Sequence, residues 1–525
     1  MVNIADRYKK IKHGFQQSEN SRAAAIIYQH EDDPIILYNK KKGDAFSLKG
    51  TKATSEEPTV ISISTTKSLN NISGSFSVVL KDSQVTIDLF KRLTDDDWID
   101  IVFYINNEPY HQFRGIIDEI NRSVTIGGTG ATVKIYTITG RCFGKIWEAT
   151  PVWFSPYYND IITQVVSLQI FGAANGAAEL LGNPSQAVIS FMKRFLVDLA
   201  RFDGPNWNPP KSMPGISDVG IFANIDFGET EDGSSKYFQN IPKRILYNLN
   251  ALNPDGTLWD LAKQYSDPLF VEVYTDYLPK GNPFSKELSN SSSIGSNDMS
   301  VIIRDRPFPF SDTFPLTGYK DTWNELPIFT VIPQEIVSHS VSKSGYERYN
   351  AFYVASRLYQ EELNSYALTI LAPLLDNEGI KRHGLRRFDI QSEVHPDPNN
   401  PIEFGGYNVA EICNYQRRLI MDWYCLNPYF LSGTISLAHG RPDIRIGCRL
   451  HIPGVKIGDK DIISEENYYI EEVRNDWVFG RGIRTTLGVT RGWIGDMNTY
   501  YENLNKMVNR YSLAELRDLT IGQTP

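Results

Sequence analysis

Between Gly433 and Trp493 the chain reads GTISLAHGRPDIRIGCRLHI, breaks at a Gly/Lys/Asp loop, and resumes as NYYIEEVRNDWVFGRGIRTTLGVTRGW. Short runs with a period of two are what an extended strand with one buried and one wet face requires, and they exclude a helical core for this stretch. Leu450 and Ile452 flank His451, and Tyr469, Glu471 and Val473 are expected opposite Tyr468, Ile470 and Glu472. The same grammar fills residues 21–150 through AAAIIYQ, PIILYN, TVISIST, SGSFSVVL, DDWIDIVFYI, HQFRGIIDEI and ATVKIYTITGR. In SGSFSVVL, Phe76, Val78 and Leu80 take one face and Ser75, Ser77 and Val79 the other. Asn-Asn-Glu-Pro and Gly127-Gly128-Thr129-Gly130 supply turns between strands. The glycine run reads as a hairpin turn and not a phosphate cradle, because VTI and ATVKIY flank it.

The order within the first block recurs near the C-terminus. Phe113-Arg114-Gly115-Ile116-Ile117-Asp118 is answered by Tyr469-Ile470-Glu471-Glu472-Val473-Arg474, and Tyr136 to Arg141 by Leu487 to Gly492. A weak internal repeat is expected. Between the blocks the period changes to that of helices. Asn183-Pro184 offers a cap, followed by Val188, Phe191, Phe195, Leu199 and Phe202; Ile161, Ile162, Val165 and Val166 suggest a second helix. Thr257-Leu258-Trp259-Asp260 opens a third with a shortened capping box. Further helices are expected from about Leu363 to Leu375 and from Val409 to Cys425. Asp203 to Lys236 and Leu278 to Ser300 read as loops. The tail after Trp493 has helical propensity without a core stripe, so it is expected to dock on another element or another chain.

A length of 525 residues exceeds one ordinary core, so two to four domains are expected. The net charge of -9 argues against a main partner that is a phosphate backbone, which would need concentrated Lys and Arg. Cys142, Cys413, Cys425 and Cys448 form no CxxC pair and are expected as buried, reduced thiols. The N-terminal MVNIADRYKKIKHG has no apolar h-region, and no run reaches a membrane span, so a chain kept soluble in a cytoplasm is expected. No GxSxG, HExxH or P-loop pattern occurs. His439 and His451 lack a third ligand by spacing, and Glu471-Glu472 point to opposite strand faces. The reading is therefore no enzyme, with no catalytic, metal or cofactor-binding residues. Lys40-Lys41-Lys42 and the Lys381, Arg382, Arg386, Arg387 group read as solvated faces or turns.

The succession GTISLAHG, PDIRIG, YYIEEV, TTLGVTRG resembles the baseplate central hub proteins of contractile-tailed bacteriophages, a tail-hub family related to the N-terminal barrels of injection-system spike proteins. GTLWDLAKQYSDPLF matches that pattern moderately. GIKRHGLRRFDI resembles the family's approach segment, with Gly384 as a backbone requirement and Arg386 or Arg387 as an interface charge. The fold implied is α+β and β-dominated, with two related antiparallel, tail-tube-like β-barrels around a mainly helical insert. The boundaries are an arm at 1–20, a first barrel at 21–155, the insert at 156–320, a second barrel with a helical insertion at 321–495 and a helical tail at 496–525. Gly433, Gly447, Tyr469, Thr490, Arg491 and Gly492 are the fold-signature positions, none catalytic.

The resemblance implies a homotrimeric symmetry adaptor in the phage tail baseplate, joining a hexameric tail tube to a trimeric spike and assembled in the host bacterial cytoplasm. Tube, spike and surrounding baseplate proteins would be its partners. DNA would pass through its channel without sequence-specific binding, past inner strands of net negative charge, and no membrane would be entered. The alternatives are a tail-associated cell-wall hydrolase or carbohydrate-binding module, and a peripheral baseplate or tube-initiator subunit.

Overall fold

The structure is a computed structural model; it describes residues 21–29, 34–39, 60–69, 71–105, 108–126, 132–150, 225–227, 257–266, 269–277, 299–309, 322–356, 372–392, 403–404, 407–457 and 460–513, with 192 and 213. The arm at 1–20, the lysine run at 40–42, the turn at 127–130 and the helices expected at 161–166 and 183–202 lie outside these residues. So do most of the two expected loops and most of the helix expected from 363.

The first block forms β1 (Ser21–Tyr28), β2 (Ile35–Tyr38), β3 (Val60–Ser68), β4 (Asn71–Lys81), α1 (Gln84–Arg92), β5 (Trp98–Ile105), β6 (Glu108–Ile126), β7 (Thr132–Cys142) and α2 (Lys145–Ala149). Ser83 starts α1 by accepting the Thr86 amide at 3.1 Å, while Lys91 and Arg92 stand at its negative end. Within the expected insert, the described elements are β8 (Ile225–Asp226), α3 (Leu258–Ser266), β9 (Val271–Tyr277) and β10 (Met299–Asp305). Thr257 and Asp260 exchange hydrogen bonds at the start of α3, as a capping box requires.

The second block opens with α4 (Thr322–Glu325), β11 (Ile328–Thr330) and β12 (Ile336–Lys343). An excursion follows: β13 (Ala351–Ser356), β14 (Leu374–Asp376), α5 (Asn377–His383), β15 (Arg387–Ser392), β16 (Glu403–Phe404), β17 (Tyr407–Asn408) and α6 (Val409–Tyr424). The chain returns through β18 (Leu431–Leu437), β19 (Arg449–Ile452), β20 (Val455–Ile457), β21 (Lys460–Ile463), β22 (Glu466–Val478) and β23 (Gly482–Ile494), then α7 (Met497–Val508) and β24 (Tyr511–Leu513). α7 does carry a core stripe, which the sequence reading missed: Tyr500, Leu504 and Val508 are buried at spacings of four.

Among the described residues, the two expected barrels do not close as separate units. Strands of both blocks join one open thirteen-stranded sheet, ordered β12-β18-β23-β22-β3-β4-β7-β6-β5-β1-β2, with β19 and β11 attached at the β22 side. The reason lies in β22. On the edge away from β23, its first residues pair with β19, whereas Glu472 to Val478 pair antiparallel with Ser62 to Ser68 of β3. Backbone groups that a barrel would satisfy on itself are satisfied across the two halves.

Each half has its own core: Phe76, Val78, Ile101, Phe113 and Ile138 in the first, and Ile435, Leu450, Tyr468, Ile470 and Leu487 in the second. A third apolar cluster gathers Trp147, Trp259, Trp323, Trp423 and Tyr500 from the helices, with residues of β9 and β10. β8, β10 and β9 make a three-stranded sheet, and β15, β13, β14 and β24 a four-stranded one.

Candidate functional site at a strand seam

The halves repeat one topology. The order β3-β4-β7-β6-β5 in the first half matches β12-β18-β23-β22-β19 in the second. Two β-bulges fall at matching places. The β6–β7 ladder shifts between Ile117 and Glu119, and the β22–β23 ladder between Ile470 and Glu472. The β3–β4 ladder shifts between Val60 and Ser62 opposite Leu80, and β12–β18 between Ile336 and Ser338 opposite Leu437. Bulges bend and twist a strand locally, so two shared bulges make a demanding match.

Aligned on these bulges, Asp118 corresponds to Glu471 and Arg141 to Thr490. The carboxylate on each bulge accepts from its partner: Arg141 Nε donates to Asp118 at 2.9 Å, and Thr490 Oγ1 to Glu471 at 2.9 Å. The repeat read from sequence therefore holds as topology but not in register; its first strand was offset by three residues and its second by two. The best sequence match went unread: VISISTTKS of β3 against IVSHSVSKS, which runs one residue beyond β12, with Ser62, Ser64, Lys67 and Ser68 repeated as Ser338, Ser340, Lys343 and Ser344. The bulge also corrects the expected facing of β22, because Val473 packs in the same core as Tyr468 and Ile470.

β9 is wedged against the seam, and all seven of its residues are buried. One face addresses the first half. Thr275 donates to the Ile72 carbonyl at 2.6 Å, and the Tyr277 ring lies 4.7 Å from the Arg114 guanidinium, which is itself held at 2.7 Å by both oxygens of Asp100. The other face reaches the second half. Tyr469 donates to Glu272 at 2.8 Å, and Arg304 on β10 donates to Glu272, to Tyr469 and to the Gly447 carbonyl. Asp276 closes the seam itself, accepting from Lys67 of β3 at 2.6 Å with Arg445 at 3.5 Å. Burial pushes the Asp276 carboxyl up, but Lys67 and Arg445 more than offset this and hold it below the usual range.

Several signature positions meet here. Gly447 sits at φ 70°, and a Cβ there would lie 2.6 Å from Arg304 Nη2. Tyr469 joins the Glu272 cluster, its hydroxyl pushed up by burial and by Glu272. Arg491 stacks 3.5 Å from the Trp423 ring and donates to the Trp423 carbonyl, and burial lowers it to about 10. Gly492 gives way to the Tyr468 ring, and Gly433 to the Ser340 carbonyl on β12. Gly384 sits at φ 74° after α5, where Asn350 Nδ2 donates to its carbonyl at 2.7 Å; Arg387 pairs with Asp389 at 3.0 Å. His451 bonds Asn467, and among the described residues no group of three or more His, Cys, Asp or Glu converges on a metal site. A cleft of about 510 Å³ opens beside the seam, bordered by Trp259, Lys263, Arg306, Trp423 and Glu471. The four cysteines are buried and form no disulfide with one another.

No family model and no curated protein matches the sequence. Among solved structures, a tail protein from Neisseria meningitidis is similar over 89% of this chain and 96% of its own, at 9% identity and a TM-score of 0.45. The 43 kDa tail protein of prophage MuSo2 from Shewanella oneidensis is similar over 90% and 98%, at 12% identity and 0.43. A type VI secretion component of E. coli, itself described as similar to bacteriophage T4 tail proteins, is similar over 83% and 74%, at 8% identity and 0.34. Among the described residues no helix is long and apolar enough to cross a membrane.

The open face of the sheet is polar and nearly charge-balanced. One unbroken row of paired residues crosses seven strands: Ser338, Ser436, Thr486, Arg474, Thr66, Ser75 and Arg141. Exposed or half-exposed Glu119, Glu472 and Asp476 are offset by Lys81, Arg474 and Arg484. This face carries no net negative charge, and hydroxyl side chains dominate it.

Proposed function

We propose that this chain is a structural hub subunit of a tail baseplate, a trimeric adaptor whose two repeats per chain give six similar units around an axis. The observation that carries this reading is the topological repeat with its matched bulges, two units side by side in one sheet. Residues 21–155 and 321–495 are then the two ring units, and the signature glycines are positions where the second unit's backbone must approach its neighbours. A ring of three such chains presents near six-fold symmetry to a tube and true three-fold symmetry to a spike, and closure stops growth where an open contact would make fibres. The hydroxyl-rich face would line the passage. Such a wall offers a phosphate backbone few fixed cations, so a polyanion can slide without being held.

The test is the solution mass by light scattering, with averaged electron images along the axis. A trimer with six lobes around a hole is expected. A monodisperse monomer or dimer at micromolar concentration, with and without partner proteins, would remove the adaptor reading. Release of cell-wall fragments by the purified chain would favour the hydrolase alternative instead.

A further inference from the structure

The seam inside the chain has a counterpart that the chain leaves open. Among the described residues β12 pairs only with β18, so its other edge has no strand beside it. The distal part of β6, from Asp118 onward, pairs only with β7 among the described residues. Under the bulge alignment these are the equivalents of the two strands that meet within the chain, β3 for β12 and distal β22 for distal β6. Both edges carry solvent-exposed apolar side chains, Val124 at 54% and Val337 at 61%. Open edges with apolar side chains are templates for strand addition unless they are blocked or covered. Val124 corresponds to Trp477, which the intrachain seam buries in the core of the first half.

One edge cannot cover the other within a single copy, because β3 and β22 already join the two halves between them. The occupant is therefore a second copy of this chain, in a head-to-tail contact that closes on repetition. We propose that β12 of one copy adds antiparallel to distal β6 of the next, in the register Glu119 to Ser344, Asn121 to Ser342, Ser123 to Ser340 and Val124 to His339. This register transfers the observed pairing of Glu472 with Ser68, Arg474 with Thr66, Asp476 with Ser64 and Trp477 with Ile63. It rests on reading the halves as repeats of one ring. It also makes the six seams unequal: three are wedged by β9 and sealed by Trp477, and three between copies meet through Val124 and lack a covalent link.

The register is tested by oxidative cross-linking of the full-length chain. The pair matching Ser123 and Ser340 is Asp476 and Ser64, which lies between hydrogen-bonded pairs marked by Leu69 to Glu471 and Phe479 to Ile61, so the side chains stand close enough for a disulfide. The chain with Ser123→Cys and Ser340→Cys, treated with diamide, should run on a non-reducing denaturing gel as a covalent ladder ending at trimer. Ser64→Cys with Asp476→Cys should close within one chain, and Ser123→Cys with Ser342→Cys should link at most a tenth as much. Either single variant should stay monomeric on the gel; dimers from Ser340→Cys alone would mean a two-fold contact and overturn the proposal. Trimers by light scattering without the cross-link would overturn the register alone, whereas monomers by light scattering would overturn the ring reading beneath it. As a second measurement, Val124→Arg should dissociate the trimer to monomers with unchanged circular dichroism, and an undisturbed trimer would count against the edge.

Discussion

A single extra residue in each long hairpin, Asp118 in β6 and Glu471 in β22, decides more than any motif. A bulge inserts one position into the period of two and moves every later side chain to the opposite face. This is why Val473 joins Ile470 in the core although alternation sets them apart, and why the repeat was read out of register. Asp276 is the residue on which the seam turns. Its carboxyl is held low by Lys67 and Arg445 against burial. Because the folded value lies below the unfolded value of about 3.9, its contribution is whole above that value and is lost as pH falls through the folded one. Asp276→Asn should cost about 3–5 kcal/mol near neutral pH, by leaving Lys67 and Arg445 without their buried partner. Its urea midpoint should then fall less steeply than the parent's as pH drops below about 4; equal slopes would show that Asp276 does not carry the acid limb.

At the scale of elements, most strands of residues 21–142 and 431–494 and two of the helices were legible because each follows one simple rule. β4 alternates, α3 carries its capping box, and α6 spans 409–424 where a helix was expected to Cys425. β9 was not legible. Its sequence VEVYTDY alternates Val271, Val273 and Thr275 with Glu272, Tyr274 and Asp276 as a half-wet strand does, yet both of its faces are buried between the halves. Glu272 and Asp276 tolerate this only because Arg304, Tyr469, Lys67 and Arg445 arrive from distant segments. Trp477 is the element-level counterpart in β22, filling the first half's core from the second. Trp477→Ala should cost about 3–5 kcal/mol and expose both halves to limited proteolysis together. A loss confined to the second half would show that the seam is not a shared structural element.

For the whole molecule, the polar open face makes a prediction separate from ring formation. The parent assembly should not retain duplex DNA at about 0.15 M salt, since binding of that kind scales with the phosphates neutralised. Ser77→Arg with Thr434→Arg, two added cations per chain on that face, should create retention that weakens steeply with salt. Tight, salt-sensitive binding by the parent would refute a neutral wall. The sequence by itself determined most strands of the two blocks, the start of α3, the course of α6 and the buried cysteines, because periodicity, caps and composition act over a few neighbouring residues. Only the tertiary structure decided that the blocks share one open sheet in place of two closed barrels. It also fixed the register of their repeat and the wedge of β9. Those outcomes depend on which distant backbone edges and buried charges find each other, and no local pattern encodes that choice.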